Sequence, residues 1–170
     1  MAEQARTDGA DLVVVSMHWG TEYVSEPIDE QLNIAQELAD SGQVDLVYGN
    51  HSHVPEPVTE LEGGPRGEGM WVAWSMGNLI SGQTIANHGY RVTTGYLGTA
   101  TIDVPAEGPA TVDRLDWTVV TQDAPGNNLL YFLNEELRGG RPASLTLSDA
   151  ELQERANVTY PVMEANGSSE

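Results

Sequence analysis

The sequence predicts an α/β domain organised around parallel strands, and three stretches predict it. Leu12-Val13-Val14-Val15 is a short β-branched run, the composition of a strand buried on both faces. Ile28, Leu32, Ala35, Leu38 and Ala39 then recur at helical spacing, with Pro27 in the first turn, Ser25 or Glu26 as cap, and Gly42 as the stop. Val44 to Tyr48 is a second apolar run of strand length. Strand, helix and strand in this order demand a parallel pair joined by a right-handed crossover. Both strands therefore end at one edge of the sheet, where open α/β folds build their sites.

Beyond residue 53 the pattern changes. Val58 to Leu61 and Met70 to Trp74 flank the Gly-rich loop 62–69, the turn chemistry of a long hairpin. Ser75-Met76-Gly77-Asn78-Leu79-Ile80 leads into a Gly/Asn-rich loop, and further strands are predicted at 97–104 and 112–121. Residues 123–128 read as a linker and 129–138 as a helix. Ser148-Asp149-Ala150-Glu151 has the spacing of a capping box and opens a second helix. Residues 165–170 are expected to be disordered. The chain thus divides into a domain over 1–122 and an acidic helical tail over 123–170, with no internal repeat.

The composition excludes several classes. With 26 acidic and 7 basic residues the net charge is −19, so the chain lacks the cationic patch that grips nucleic acid or anionic lipid. The acidity is a solvated surface or, alternatively, one that attracts cations. There is no cysteine, so a metal would have to be held by His, Asp, Glu or Asn. No stretch approaches the ~18 apolar residues of a membrane span, and Met1 to Arg6 lacks the layout of an export signal. A soluble, cytoplasmic chain is the expectation.

Three of the four histidines fall at the ends of the two predicted strands. His18 follows the first, and His51 and His53 follow the second in Gly49-Asn50-His51-Ser52-His53. On an extended segment both members of His-x-His point to one side and address one cavity. Convergence of His18 with that pair predicts a metal site, against the plainer reading of surface histidines in loops. His88, in Ala86-Asn87-His88-Gly89, is either a loop histidine or a catalytic general acid for a leaving oxygen. Trp71, Trp74 and Trp117 lie in strand-like runs and are assigned to the core, whereas Trp19 is placed to wall the pocket.

His18-Trp19-Gly20-Thr21-Glu22-Tyr23, Gly49-x-His51-x-His53-Val54-x-x-Pro57 and Trp74-Ser75-Met76-Gly77-Asn78 follow one another in a pattern that resembles the bacterial capsule-synthesis CapA family. That family, also described as poly-γ-glutamate synthesis proteins, is a branch of the calcineurin-like metallophosphoesterases. The resemblance covers about Asp11 to Thr121. It implies a metallophosphoesterase-like β-sandwich flanked by helices and one or two divalent ions (Mn, Zn or Fe). It implies that His18 and His51 bind one metal and His53 the other. Glu22 would be an imidazole-orienting carboxylate or a plain surface acid, and Asn50, Ser75 and Asn78 would lie near the site.

The family's bridging Asp, its Asp-x-His pair and its Asn-His-acid motif all precede the His-Trp-Gly segment, and here ten residues precede Asp11. The resemblance is therefore to the C-terminal part of the domain only. Three histidines alone could hold one metal with an open position. The implied function is a metal-dependent hydrolase-type site in capsule or poly-γ-glutamate production. Its partners would be the missing N-terminal half or a membrane-bound polymer synthase. The alternatives are a non-catalytic envelope assembly or scaffold protein, and an inactive truncated remnant.

Overall fold

A computed structural model describes residues 1–126 and 128–165. After a short helix α1 (Ala2–Thr7), the expected β-α-β unit is present as β1 (Val14–Trp19), α2 (Asp29–Asp40) and β2 (Leu46–His51). β1 and β2 run parallel, with His18 opposite Asn50 and Trp19 opposite His51. The first strand extends four residues beyond Val15, so His18 and Trp19 belong to the ladder and not to the loop after it.

The reason lies in where β1 sits. It is the outermost strand of its sheet and is buried on one face only. Val13, Val15, Met17 and Trp19 pack toward α2, while Val14 (54% exposed), Ser16 and His18 look out from the other face. A half-exposed strand tolerates polar residues at alternate positions, which is how Ser16 and His18 stay in register. α2 begins two residues later than Pro27 suggests. Its cap residue is Ile28, whose N–H donates to Gln31 Oε1 (3.0 Å), in place of the Ser25 or Glu26 expected. Ala35 and Ala39 let the helix lie close on the sheet, and Leu32 faces solvent.

β3 (Val58–Leu61) and β4 (Met70–Ala73) form the predicted hairpin, and β4 pairs parallel with β2. The sheet order is β1-β2-β4-β3. A second, antiparallel sheet follows: β5 (Thr94–Asp103), β6 (Thr111–Asp123) and β7 (Leu129–Phe132), after a short helix α3 (Ile85–His88). Residues 129–132 thus form a strand on the edge of β6, where a helix was expected, and only Leu133–Leu137 is helical (α4).

The last helix, α5 (Asp149–Glu164), starts at the predicted capping box: Ser148 Oγ accepts from Glu151 N, and Glu151 Oε2 accepts from Ser148 N. It is no appended tail. Leu152, Ala156 and Met163 share one core with Tyr96, Leu115 and Trp117 of the second sheet and Leu46, Val58 and Ala73 of the first. Asp123, taken for linker, accepts from Gly126 N, Thr146 N and Thr146 Oγ1 and ties the segment down. Beyond Ala165, the disorder expected over 165–170 lies outside the described residues. The fold is α/β with two sheets. One core lies between the sheets and the C-terminal helices, the other between the first sheet and α2 with α1. Among the described residues no helix is long and apolar enough to cross a membrane.

Candidate metal centre

Parallel pairing brings the ends of β1 and β2 side by side. The rings of His18 and His51 lie 4.4 Å apart between centroids, inclined at 45°. The loops beyond them are laced together by Tyr23 N donating to Ser52 O (2.7 Å). The two rings open into a cavity of about 280 Å³ lined by His18, Asn50, His51, His53, Asn78 and the 77–80 backbone turn. An apolar hollow of about 350 Å³, walled by Tyr48, Met76, Tyr96 and Leu97, adjoins it and shares Asn50.

His53 does not join the pair. Its ring is 6.5 Å from that of His51, because the His-x-His segment is not extended as expected. His51 has φ +123° and His53 φ +62°, the region L-residues occupy at a cost of order 1–3 kcal/mol. His53 Nδ1 instead lies 3.0 Å from Asn78 Oδ1. Asn78 Nδ2 donates to Val92 O (3.0 Å), which fixes the amide, so His53 Nδ1 carries the proton and donates. The lone pair of His53 is left on Nε2, the arrangement a ligating imidazole adopts.

Neutral imidazoles suit a first-row divalent ion in type. In number the set falls short. Among the described residues no three His, Asp or Glu side chains are placed to hold one ion. In place of the expected three-histidine site the structure has a two-imidazole pair with His53 at the rim.

Residues 1–83, which carry all of these side chains, match the family described as "Bacterial capsule synthesis protein PGA_cap". The first half of the chain is thus similar to the bacterial capsule synthesis family. The chain is 32% identical over 114 residues to "PGA biosynthesis protein CapA" of Bacillus subtilis (strain 168), a match covering 62% of this chain and 28% of that protein. It is 33% identical over 82 residues to "Capsule biosynthesis protein CapA" of Bacillus anthracis, 48% of this chain and 18% of the relative. A "Probable polyglutamine synthesis accessory protein" of Mycobacterium tuberculosis is 36% identical over 55 residues, 32% and 14% of the two chains. The matches span 28% or less of each of these relatives. No solved structure matches.

The other residues singled out from the sequence fall in several places. Trp19 does not wall the cavity. It is buried in the α2 core, stacked on Trp74 with its Nε1 donating to Trp74 O (2.8 Å). Ser75 is buried behind the cavity, its Oγ accepting from Gly77 N (3.3 Å) and shaping the turn that presents Asn78. Glu22 is exposed, with no hydrogen bond to an imidazole among the described residues. His88 does not line the cavity, because the ring of Tyr23 stands between it and His53. Tyr23 stacks on His88 at 3.8 Å and on His53 at 5.9 Å. Tyr23, with φ +66°, is one of the residues that sequence reasoning missed; nothing in its type announces a left-handed turn.

Proposed function

We propose that this chain supplies the imidazole part of a divalent-metal site in a metallophosphoesterase-like protein of capsule-polymer synthesis, with poly-γ-glutamate as the polymer class. The names of the relatives support the process. The observation that carries the chemistry is the His18–His51 pair, set 4.4 Å apart by two parallel strands in an open cavity. His18 and His51 would hold the ion, and His53 would offer Nε2 from the rim, oriented by Asn78. In this proposal water or a substrate oxygen would fill the remaining positions on the ion.

A divalent ion supplies Lewis-acid polarisation of a phosphate-like or carboxyl-derived oxygen when bound. The chain's own residues explain the need for one. No Lys or Arg lines the cavity, and the net charge is −19, so an anionic substrate finds no fixed positive charge there. Asn50 offers an amide for hydrogen bonding to a substrate oxygen.

A second reading, a metal-free assembly role in polymer synthesis, is favoured by the lack of any three-donor group among the described residues. Elemental analysis and calorimetric titration with Zn²⁺ or Mn²⁺ decide between them. The metal reading expects one ion per chain, lost in His18→Ala and His51→Ala. A wild-type chain that retains no ion even with metal supplied would leave only the assembly role.

A further inference from the structure

Beneath the loops that follow His18 and His51 lies a polar pair with no assigned role. Glu56, in His53-Val54-Pro55-Glu56-Pro57, is wholly buried. Its Oε2 accepts from Gln31 Nε2 (2.7 Å), its backbone N donates to Ser75 O (2.9 Å), and its Oε1 has no hydrogen-bond partner. Gln31, on the first turn of α2, is equally buried and spends its Oε1 on Ile28 N. Gly20, two residues past His18, has φ +91° and lies so close that a Cβ there would come 3.0–3.1 Å from the Gln31 amide. One side chain therefore bears on the loop after His18 and, through Glu56, on the loop that carries His53.

A buried amide–carboxyl pair is a poor way to fill space, because apolar residues of the same volume are as stable or more so. What the polar pair adds is direction, since the hydrogen bond fixes where each loop sits relative to α2. Burial pushes the Glu56 carboxyl up from its ordinary pKa, as does Glu26, while the hydrogen bond from Gln31 pulls it down.

We propose that Gln31 and Glu56 are positioning residues, which hold the loop after His18 and the loop that carries His53 against α2 and so set where the His53 ring stands beside the His18–His51 pair. The proposal rests on the metal-site reading for its function but has a readout independent of it. Three variants of the full chain test it: Glu56→Ala, the apolar pair Gln31→Met/Glu56→Leu, and the exchanged pair Gln31→Glu/Glu56→Gln. Each is titrated with Zn²⁺, its unfolding midpoint is measured, and its imidazole ring signals are recorded by NMR without metal.

Glu56→Ala should weaken Zn²⁺ binding by roughly 10- to 100-fold, the usual effect of removing a partner that orients ligands. The exchanged pair keeps an acceptor for Ile28 N and a donor to its carboxylate, and should recover most of that loss. The apolar pair should unfold no earlier than the wild type yet bind Zn²⁺ as weakly as Glu56→Ala, with a shifted His53 ring signal. Wild-type affinity and ring signals in the apolar pair would overturn the proposal, as would failure of the exchanged pair to rescue. If the wild type itself takes up no Zn²⁺, the metal reading fails alone. The ring signals then decide the positioning role: moved in the apolar pair, it holds; unmoved, it falls.

Discussion

Gly49, in the middle of β2, is the tightest point beneath the histidines, and Gly49→Ala measures how tight. Its φ is not the reason for glycine; close approach is. The Trp19 indole donates to the Trp74 carbonyl across this position, and Gly49 O accepts from Met76 N (3.0 Å). A Cβ built at Gly49 would overlap both the Trp74 carbonyl oxygen and Trp19 Nε1. Both indoles are nearly inaccessible, at 6% and 2% exposure, so neither can swing into solvent. The methyl must push β2 away from the start of the 75–78 turn or break the indole hydrogen bond. Overpacking costs about 1–3 kcal/mol, and a buried carbonyl robbed of its donor costs about 1–3 kcal/mol more. Where both apply the total is roughly 2–6 kcal/mol, a large part of the 5–15 kcal/mol that stabilises an ordinary domain. Urea denaturation followed by tryptophan fluorescence reads both the loss and the disturbed indole pair. A Gly49→Ala chain within about 0.5 kcal/mol of the parent, the range of an ordinary surface change, would refute the packing argument.

Asp123 should govern acid sensitivity. Burial alone would raise its pKa, but the hydrogen bonds from Thr146 Oγ1, Thr146 N and Gly126 N outweigh burial and hold it below the ordinary carboxylate value. A folded pKa below the unfolded one (~3.9 for Asp) gives stability that is present above that pH and lost as pH falls through the folded value. Asp123→Asn should therefore flatten the stability curve below about pH 4 and cost about 1–3 kcal/mol at pH 7, both read by urea denaturation. Asn78→Ala frees His53 Nδ1 and should lower Zn²⁺ affinity by roughly 10-fold or more, with calorimetric titration as the assay. Ser148→Ala removes the cap of α5 and should cost about 1 kcal/mol, visible as an earlier thermal unfolding midpoint.

The β-α-β unit was legible because its apolar runs, helical spacing and stop residue all agree, and the convergence of His18 and His51 follows from parallel topology alone. Where β1 ends was readable in principle. Alternation of exposed and buried residues from Val14 to Trp19 marks an edge strand, but the denser run Leu12–Val15 draws attention to a fully buried one. Leu129–Phe132 carries an apolar run with no period to separate helix from strand, and the free edge of β6 decided for strand. The burial of α5 was missed: Leu152, Ala156, Thr159 and Met163 form a helical stripe packed on the second sheet, where an appended acidic tail was expected. The turn of His53 away from His51 was not legible, because a left-handed φ at histidine leaves no mark in composition. Gln31, Tyr23 and Glu56 escaped for a related reason: each is polar, and only its tertiary partners make it part of the site.

The outer margin of β1 carries a consequence for handling the protein. A terminal strand offers a row of amide and carbonyl groups to any passing strand, and from Val14 to Trp19 it bears no proline or lysine to deter one. Mutual repulsion between copies of charge −19 is the guard that stands in their place. Salt shortens the reach of that repulsion from about 30 Å at 0.01 M to about 3 Å at 1 M. Concentrated stocks should accordingly stay monodisperse in dilute buffer and clump as ionic strength climbs, the reverse of a protein whose contacts are ionic.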